Sequence, residues 1–367
     1  MNDLFETLGG EFVEPRVVVE AALPLELSGE AVRGRICVFV DEDGREWALR
    51  PDLTLPVAVD EVDLRRSGTN GERVVRYSAP VFRLPALPGD PVEFTQAGFE
   101  RFGGTSDPAA DAAVFDAITQ ACTACNVAQG VVRLGDLSVF PAFVDALGLP
   151  AEAAAGLKRA FRQEGGVRAF LNGARSGAAS GLAQRMQGMD RSQVAAFVED
   201  IFALTGIRPV GERTGDEIVE RLHQRAQDGE AVSVPDAAKA ILETVLDVDA
   251  AVPEALAALR GIAETVQHDA LGPLLEQLDL RHAAMTKTAP EFMKDATFST
   301  RFGRRFTYYD GFVFEIAESE AEYGRPFAAG GRYDSLLSDL SGGEVIANAV
   351  GAIIIPHRLA RAAGEAS

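Results

Sequence analysis

The stretch Val92-Glu93-Phe94-Thr95-Gln96-Ala97-Gly98-Phe99-Glu100 has the composition of a β-strand with a glycine inside it. Side chains alternate between the two faces of an extended backbone, so Gln96, Gly98 and Glu100 point the same way. An amide and a carboxylate then flank a residue with no side chain. This gap predicts room for a small ligand that carries N–H donors. The alternative is a bulge at the glycine, with the polar groups in water.

A second strand of this kind is expected far downstream, at Tyr308–Glu315, where Tyr309 and Gly311 would share a face. Either strand alone is a weak signal. Because the two lie at opposite ends of the sequence and have the same design, together they predict one pocket in a shared sheet.

The composition is that of an ordinary soluble globular protein, with 367 residues, 47% hydrophobic and 25% charged. A net charge of −20 argues against broad nucleic-acid binding, because phosphate contacts need clustered Lys and Arg. The N-terminus lacks a basic segment followed by an apolar core, and no apolar run approaches the roughly 18 residues of a membrane span. Only three cysteines are present, which favours a reducing cytoplasm.

Cys122 and Cys125 form a C-x-x-C pair inside an Ala-rich amphipathic pattern. A zinc site needs a complete ligand set, and the sequence offers no second cysteine pair or histidine cluster to complete one. We therefore interpret the pair as packing residues and predict no metal. No cofactor is predicted either, since the chain has no phosphate-binding loop and no G-x-G-x-x-G in the required context.

The distribution of patterns along the chain predicts an α+β fold. Strand signals occur before residue 100 and again after Phe292, and a helical period dominates between them. Strands at both ends of the sequence indicate a mainly antiparallel sheet flanked by helices. We expect three parts: the first half of a core at 1–140, a separate helical insertion at 141–276, and the second half of the core at 277–367.

Several segments resemble the catalytic core of the histidyl-tRNA synthetases, a class II aminoacyl-tRNA synthetase family. They occur in the order of that family and include most of the chain outside the helical stretch. The matching segments are Arg50-Pro51-Asp52-Leu53-Thr54, Pro80–Arg83, Glu93–Glu100, Thr307–Glu315, Ala329–Asp334 and Val350–Leu359.

The resemblance implies a histidine pocket. Its α-amino end would be surrounded by Asp52, Thr54 and Gln96, since carboxylate and carbonyl oxygens suit an ammonium with three donors. The imidazole nitrogens would be held by Glu100 and Tyr309, beside Tyr308, with Tyr333 closing the pocket.

Two arginines complete the implied site. Arg304 falls where the family places the arginine for the amino-acid carboxylate and the reacting phosphate, and Arg83 where it binds the α-phosphate of ATP. For both, a surface ion pair is the alternative interpretation.

The chain departs from the synthetase pattern in its nucleotide half. Pro85 stands where an acidic residue is usual, and Asp90 lies in the stretch that normally supplies a further arginine. Ile355 replaces the glycine on which adenine lies, and His357 replaces a glutamate. A branched side chain would fill the nucleotide's space, and lost cationic groups remove stabilisation of the transition state. The chain ends nine residues after Arg358, so no anticodon-binding domain and no tRNA partner are expected.

A retained histidine pocket with a damaged nucleotide site resembles a paralogous family, the regulatory subunits of ATP phosphoribosyltransferase. The sequence Asp52-Leu53-Thr54 is also closer to the corresponding segment of these proteins than to that of the synthetases. The resemblance implies a cytoplasmic, non-catalytic subunit that assembles with a short-form catalytic subunit and mediates feedback by L-histidine. It also implies a homodimer within a hetero-oligomer, formed through about Phe5–Glu20.

Alternatives stay open from the sequence. One is a free-standing enzyme that activates histidine as an adenylate, and another is a structural scaffold that binds no amino acid. Histidine could also bind at the contact with the catalytic subunit instead of in the synthetase-like pocket.

Overall fold

The computed structural model describes residues 5–163, 165–172, 189–205, 219, 234–303, 307–319 and 325–364. A short 3₁₀ helix at Glu6–Leu8 comes first. The strands are β1 (Glu11–Phe12), β2 (Val18–Glu20), β3 (Val38–Val40), β4 (Glu46–Leu49), β5 (Arg73–Phe82), β6 (Glu93–Phe102), β7 (Val131–Asp136), β8 (Asp249–Ala251), β9 (Thr297–Ser299), β10 (Phe312–Ala317), β11 (Ala328–Arg332) and β12 (Ala349–Ile354).

The helices flank these strands. They are α1 (Ala22–Leu27), α2 (Glu30–Arg33), α3 (Thr54–Arg66), α4 (Pro108–Ala124), α5 (Val139–Ala146), α6 (Ala151–Phe161), α7 (Gly166–Leu171), α8 (Arg191–Thr205), α9 (Asp236–Leu246), α10 (Val252–Val266), α11 (Leu271–Thr288), α12 (Pro290–Met293), α13 (Leu336–Ser341) and α14 (Pro356–Ala362). None of these described helices is long and apolar enough to cross a membrane.

The main sheet has nine strands in the order β1-β5-β6-β12-β11-β10-β7-β9-β8. Only the pairs β1·β5 and β7·β9 are parallel. Strands from the two ends of the sequence alternate within it, since β6 pairs with β12 and β7 pairs with β10. The predicted α+β fold, with a mainly antiparallel sheet split in sequence, is therefore confirmed.

The strand predicted at Tyr308–Glu315 was wrong in its first part, because β10 begins only at Phe312. The residue that ends the ladder is Asp310. Its carboxylate accepts the backbone N–H groups of Asp334 and Ser335, at 3.1 and 2.7 Å. A side chain that captures backbone donors in this way competes with strand pairing. Tyr308 and Tyr309 therefore lie in a turn before the strand.

The stretch 141–276, predicted as a helical insertion, also contributes to the main body. Its strand β8 pairs with β9 at the end of the large sheet. Buried side chains of α5, α6, α9 and α10 belong to the same hydrophobic cluster as those of β7 and β10. The division into three parts stays a prediction.

A second, small sheet has the order β2-β4-β3 and is antiparallel throughout. The turn between β3 and β4 has Gly44 at φ 82°, where a side chain would be strained. Val19, Ala21, Ile36 and Ala48 are buried on one side of this sheet.

Cys122 lies in α4 with its side chain buried in the main core, as expected for a packing residue. Burial, and then the neighbouring Cys125, raise the pKa of the Cys122 thiol to about 12. The thiol is therefore protonated at neutral pH, and a protonated thiol is a poor nucleophile and metal ligand.

A buried ionic network joins the sheet to two helices that cover one face. Asp111 of α4 accepts from Arg332 of β11 and from Arg281 of α11, each at 2.8 Å. Arg281 also donates to Asp136 of β7 at 2.8 Å. Asp111 is 1% exposed, so its charge depends on these two arginines for solvation.

Asp111→Asn is expected to lower the free energy of unfolding by about 3 kcal/mol or more, because it leaves two arginines without their shared carboxylate. Urea denaturation measures this change. Asp116→Asn on the same helix is the control, because its carboxylate accepts a hydrogen bond from Gln120 at the surface, at 2.8 Å, and joins no ion pair among the described residues. We expect an effect of about 0.5 kcal/mol or less there. Equal losses in the two variants would contradict the buried-network account.

Candidate functional site

A cavity of about 260 Å³ lies over the middle of the large sheet. Strands β6, β11 and β12 contribute to its floor, and the start of α3 and the turn before β10 contribute to its walls. Six of the nine sequence-predicted site residues line it: Asp52, Thr54, Arg83, Gln96, Tyr308 and Tyr309. Arg304 lies outside the described residues.

The start of α3 brings Asp52 to the cavity. Its Oδ1 accepts the N–H of Leu55 at 2.9 Å, which satisfies a free donor of the first helical turn. Its Oδ2 is buried and has no hydrogen-bond partner among the described residues. Burial raises the pKa of Asp52, and the Leu55 N–H and the charge of Arg83 oppose this rise.

Gln96 of β6 carries a second buried oxygen without a hydrogen-bond partner among the described residues. The side chain is 3% exposed, and the oxygen is its Oε1. A buried oxygen that accepts nothing is unfavourable. Two such oxygens on one cavity therefore favour a ligand that brings hydrogen-bond donors.

Glu100 does not line the cavity but bonds to Thr54, which does, and its side chain is 1% exposed. Its Oε1 accepts from the hydroxyls of Thr54 and Tyr77, at 2.7 and 2.6 Å. Its Oε2 accepts from the Tyr333 hydroxyl. Burial raises the pKa of Glu100 to about 7, although the three hydroxyl donors favour the ionised form. The carboxyl group thus titrates near neutral pH.

Three tyrosine rings stand together at this end of the cavity. The ring centroids of Tyr308 and Tyr309 are 4.7 Å apart, and that of Tyr333 is 5.8 Å from the first and 6.1 Å from the second. Burial raises the pKa of all three hydroxyls, so they remain protonated donors at neutral pH. They form an aromatic wall next to Glu100.

The space predicted at Gly98 is occupied, which corrects the sequence-based expectation. A Cβ there would lie 2.8 Å from the Ile353 side chain and 3.0 Å from the ring of Tyr77. The cavity is lined instead by Gly330 and Gly351 of β11 and β12. A side chain on Gly351 would collide with the Glu100 carboxylate, so that glycine makes room for Glu100.

Sequence analysis missed Tyr77. It stands directly opposite Gly98 in the β5·β6 pairing, and the glycine leaves room for its ring. The signal was present, because a glycine in a paired strand often accommodates a large neighbour across the ladder. Using it required the register of the two strands. Arg35, which also lines the cavity, was missed as well.

The other end of the cavity is cationic. The guanidinium carbons of Arg83 and Arg358 lie 5.4 and 5.9 Å from the centre of the Phe94 ring. Arg83 Nε also donates to the carbonyl of Pro51 at 2.6 Å. Ile355 is buried and lines the cavity here.

Asp90, in the loop between β5 and β6, forms an ion pair with Arg325. Its carboxylate is only 7% exposed. The loop thus brings an anion close to His357, where a neighbouring arginine already neutralises it.

Comparison with known proteins agrees with this architecture. A family model described as histidyl-tRNA synthetase matches residues 1–194 and 194–357. A protein of Brucella anthropi named ATP phosphoribosyltransferase regulatory subunit is 32% identical over 373 residues, which covers 99% of this chain and 97% of its own length. A protein of the same name from Brucella canis is 32% identical over 361 residues, covering 97% and 94%.

Solved structures show the same fold. A crystal structure from Bacillus halodurans C, described as an ATP phosphoribosyltransferase regulatory subunit/histidyl-tRNA synthetase, has a TM-score of 0.63 at 18% identity and covers 98% of this chain and 76% of its own. Histidyl-tRNA synthetase from Nostoc sp. PCC 7120 has a TM-score of 0.57 at 16% identity, covering 99% and 70%. At these sequence identities the structural similarity shows the fold alone.

The strand order of the sheet and the full-length sequence similarity show that the chain belongs to the family of ATP phosphoribosyltransferase regulatory subunits and has the histidyl-tRNA synthetase fold.

Proposed function

We propose that this chain is the non-catalytic regulatory subunit of an ATP phosphoribosyltransferase and binds L-histidine in the cavity over the large sheet. In that role it works with a short-form catalytic subunit at the first step of histidine biosynthesis. The observation that carries the proposal is the pair of buried oxygens without partners, on Asp52 and Gln96, beside the aromatic wall of Tyr308, Tyr309 and Tyr333.

The two oxygens suit the α-ammonium group of an amino acid. An ammonium has three donors and no acceptor. Asp52 Oδ2 and Gln96 Oε1 can accept two of these donors, and Asp52 also supplies a compensating charge. The scaffold alternative gives no reason for these two oxygens to stay buried and unpaired, because unpaired buried acceptors destabilise the empty protein.

Glu100 suits the N–H of an imidazole ring. A carboxylate offers about four acceptor positions. The hydroxyls of Thr54, Tyr77 and Tyr333 occupy three of them. One acceptor position remains. Because Glu100 does not line the cavity, a ligand N–H would reach it only after the wall residues shift, and the ring of that ligand would then lie against the tyrosines.

The nucleotide half supports a non-catalytic role over the adenylate-forming enzyme. Ile355 fills space where the family resemblance implies a flat glycine surface for adenine. Asp90 and Arg325 neutralise each other close to His357. Arg83 and Arg358 are left to bind a triphosphate, and both already stack on Phe94.

Feedback control follows if histidine binds the active and inactive states of the complex with different affinity. Linkage requires that any ligand which shifts an equilibrium binds one state more tightly. A coupling free energy of about 1–3 kcal/mol would shift the equilibrium between the two states about five- to 150-fold at saturation.

We expect the purified chain to assemble with the short-form phosphoribosyltransferase of its host, to raise the rate of that enzyme, and to make the rate sensitive to histidine. Co-purification followed by a rate assay with and without histidine measures all three. The catalytic subunit alone is the control. Histidine-dependent exchange of pyrophosphate into ATP by this chain alone would instead establish the adenylate-forming alternative.

Asp52→Asn is expected to weaken histidine binding about tenfold to a hundredfold, because it removes the charge that faces the ammonium while keeping the size of the side chain. Isothermal titration measures the dissociation constant. Asp43→Asn, which removes the same charge from an exposed turn, should leave it unchanged. Equal affinities of Asp52→Asn and the wild type would place histidine elsewhere.

Glu100 should impose a pH dependence on stability. Its pKa is about 7 in the folded chain against an ordinary value of 4.5, so between these limits the unfolded chain binds fewer protons. The free energy of unfolding should therefore fall as pH rises from about 4.5 to about 7, by at most about 1.4 kcal/mol per pH unit, and this contribution should be constant above that range.

Glu100→Gln should remove this contribution. Urea denaturation of both proteins at pH 5, 6, 7 and 8 would show the variant gaining stability relative to the wild type up to about pH 7. Parallel stability curves over the whole range would contradict the assigned pKa.

A further inference from the structure

One arginine connects the helical stretch of the chain to the turn that carries Tyr308 and Tyr309. Arg162 directly follows α6, and its Nη1 donates to the backbone carbonyls of Thr307 and Tyr309, at 2.9 and 2.7 Å. A guanidinium Nη carries two hydrogens, so both bonds form at once. Arg162 therefore holds the backbone on both sides of Tyr308.

The turn at residues 307–311 lies outside the strands of the large sheet. Backbone bonds fix its two ends: the N–H of Thr307 donates to the carbonyl of Leu27, and that of Asp310 to the carbonyl of Arg332, each at 3.1 Å. Segments with few backbone hydrogen bonds are the first to open in a folded protein. The two bonds from Arg162 reach the part of the turn between these ends, where the tyrosines stand.

The helix that carries Arg162 is itself firmly packed. The preceding residue, Phe161, is 1% exposed and belongs to the main hydrophobic cluster. Its ring stacks on that of Phe140 in α5, with centroids 4.6 Å apart. Lys158 of α6 also forms an ion pair with Asp145 of α5 at 2.6 Å. The arginine thus reaches the turn from a helix whose place in the core is fixed.

The charge of Arg162 strengthens its contacts with the turn. Desolvation lowers the pKa of Arg162, and the negative charges of Asp310 and Asp339 oppose this shift. An arginine stays protonated in proteins. Hydrogen bonds from a charged donor are stronger than those between neutral groups. The two carbonyls are therefore held by a charged donor that nearby carboxylates stabilise.

Tyr308 carries the position of the turn into the cavity. Its side chain is 4% exposed, and its ring packs against those of Tyr309 and Tyr333. Burial raises its pKa, and a hydrogen bond with Thr54 opposes this rise. Thr54 in turn donates to Glu100. A displacement of the turn would therefore move both the aromatic wall and a hydroxyl that solvates Glu100.

We propose that Arg162 is a positioning residue: through it α6 fixes the aromatic wall and thereby sets the affinity of the cavity for its amino acid. Arg162 does not line the cavity, so it acts only through the turn. The placement of the wall needs no ligand, whereas the effect on affinity rests on the proposed function. Any contact that moves α6 would change the affinity, and by linkage the bound amino acid would favour one position of α6.

Two substitutions at Arg162 separate the hydrogen bonds from the bulk of the side chain. Arg162→Met removes the donor and the charge and keeps a long side chain. Arg162→Lys keeps a charged nitrogen with three donors, which suits a site where one nitrogen bonds to both carbonyls. Arg159→Met is the matched control, because Arg159 lies in the same helix, is exposed and makes no side-chain hydrogen bond or ion pair within the described part of the chain.

Near-ultraviolet circular dichroism of the full-length chain, without ligand, tests the placement of the wall. Four of the five tyrosines cluster around Glu100, namely Tyr77, Tyr308, Tyr309 and Tyr333. We expect a changed tyrosine signal in Arg162→Met with an unchanged far-ultraviolet spectrum, and wild-type signals in Arg162→Lys and Arg159→Met. An unchanged tyrosine signal in Arg162→Met, or an equal change in Arg159→Met, would overturn the proposal. Loss of the far-ultraviolet signal would also overturn it, since Arg162 would then be needed for the fold itself.

Isothermal titration with L-histidine tests the effect on affinity. The dissociation constant should rise about tenfold in Arg162→Met, return to within about threefold of the wild type in Arg162→Lys, and stay unchanged in Arg159→Met. Wild-type affinity in Arg162→Met, or equal losses in the Met and Lys variants, would overturn the effect on affinity. A wild type that binds no histidine would contradict the proposed function instead, and the circular dichroism comparison still decides whether Arg162 positions the wall.

Discussion

The cavity is organised around one buried carboxylate, Glu100, which the protein must solvate by itself. Water cannot reach a side chain that is 1% exposed, so hydroxyl groups replace it. These hydroxyls come from three separate places: the start of α3, the middle of β5 and the end of β11. Each donor bonds to the same group, and the positions of these three elements are therefore fixed relative to one another at the ligand end of the cavity.

This constraint explains several small residues nearby. Gly351 leaves the volume that the Glu100 carboxylate needs, and Gly98 leaves the volume for the ring of Tyr77. On the other face of the sheet, Arg332 precedes Tyr333 directly in sequence and bonds to Asp111. A displacement of this strand end would thus disturb the hydroxyl contact to Glu100 on one face and the buried ionic network on the other.

The sequence predicted the parts of the site that depend on local pattern and on family resemblance. The alternation that places Gln96 and Glu100 on one face holds in β6, and the split antiparallel sheet follows from strand signals at both ends of the chain. The features that the sequence did not predict depend on contacts with residues distant in sequence. The space beside Gly98 is filled because Tyr77 lies opposite it, and Tyr308–Tyr309 form a turn because Asp310 captures donors 24 and 25 residues away.

The two ends of the cavity share strand β6, but their remaining residues come from different structural elements, so the loop and α14 can change while the Glu100 cluster stays in place. The acceptors for a donor-bearing ligand are held by α3 and by the paired strands β5, β6 and β11, all tied to Glu100. The cationic end depends on Arg83 in the loop between β5 and β6 and on Arg358 at the start of α14, which meet over Phe94 at the beginning of β6. Substitutions at sites that share no partner have nearly additive effects on stability. Replacements such as Asp90 and Ile355 can therefore accumulate at the nucleotide end while the Glu100 cluster, and with it the amino-acid end, keeps its geometry.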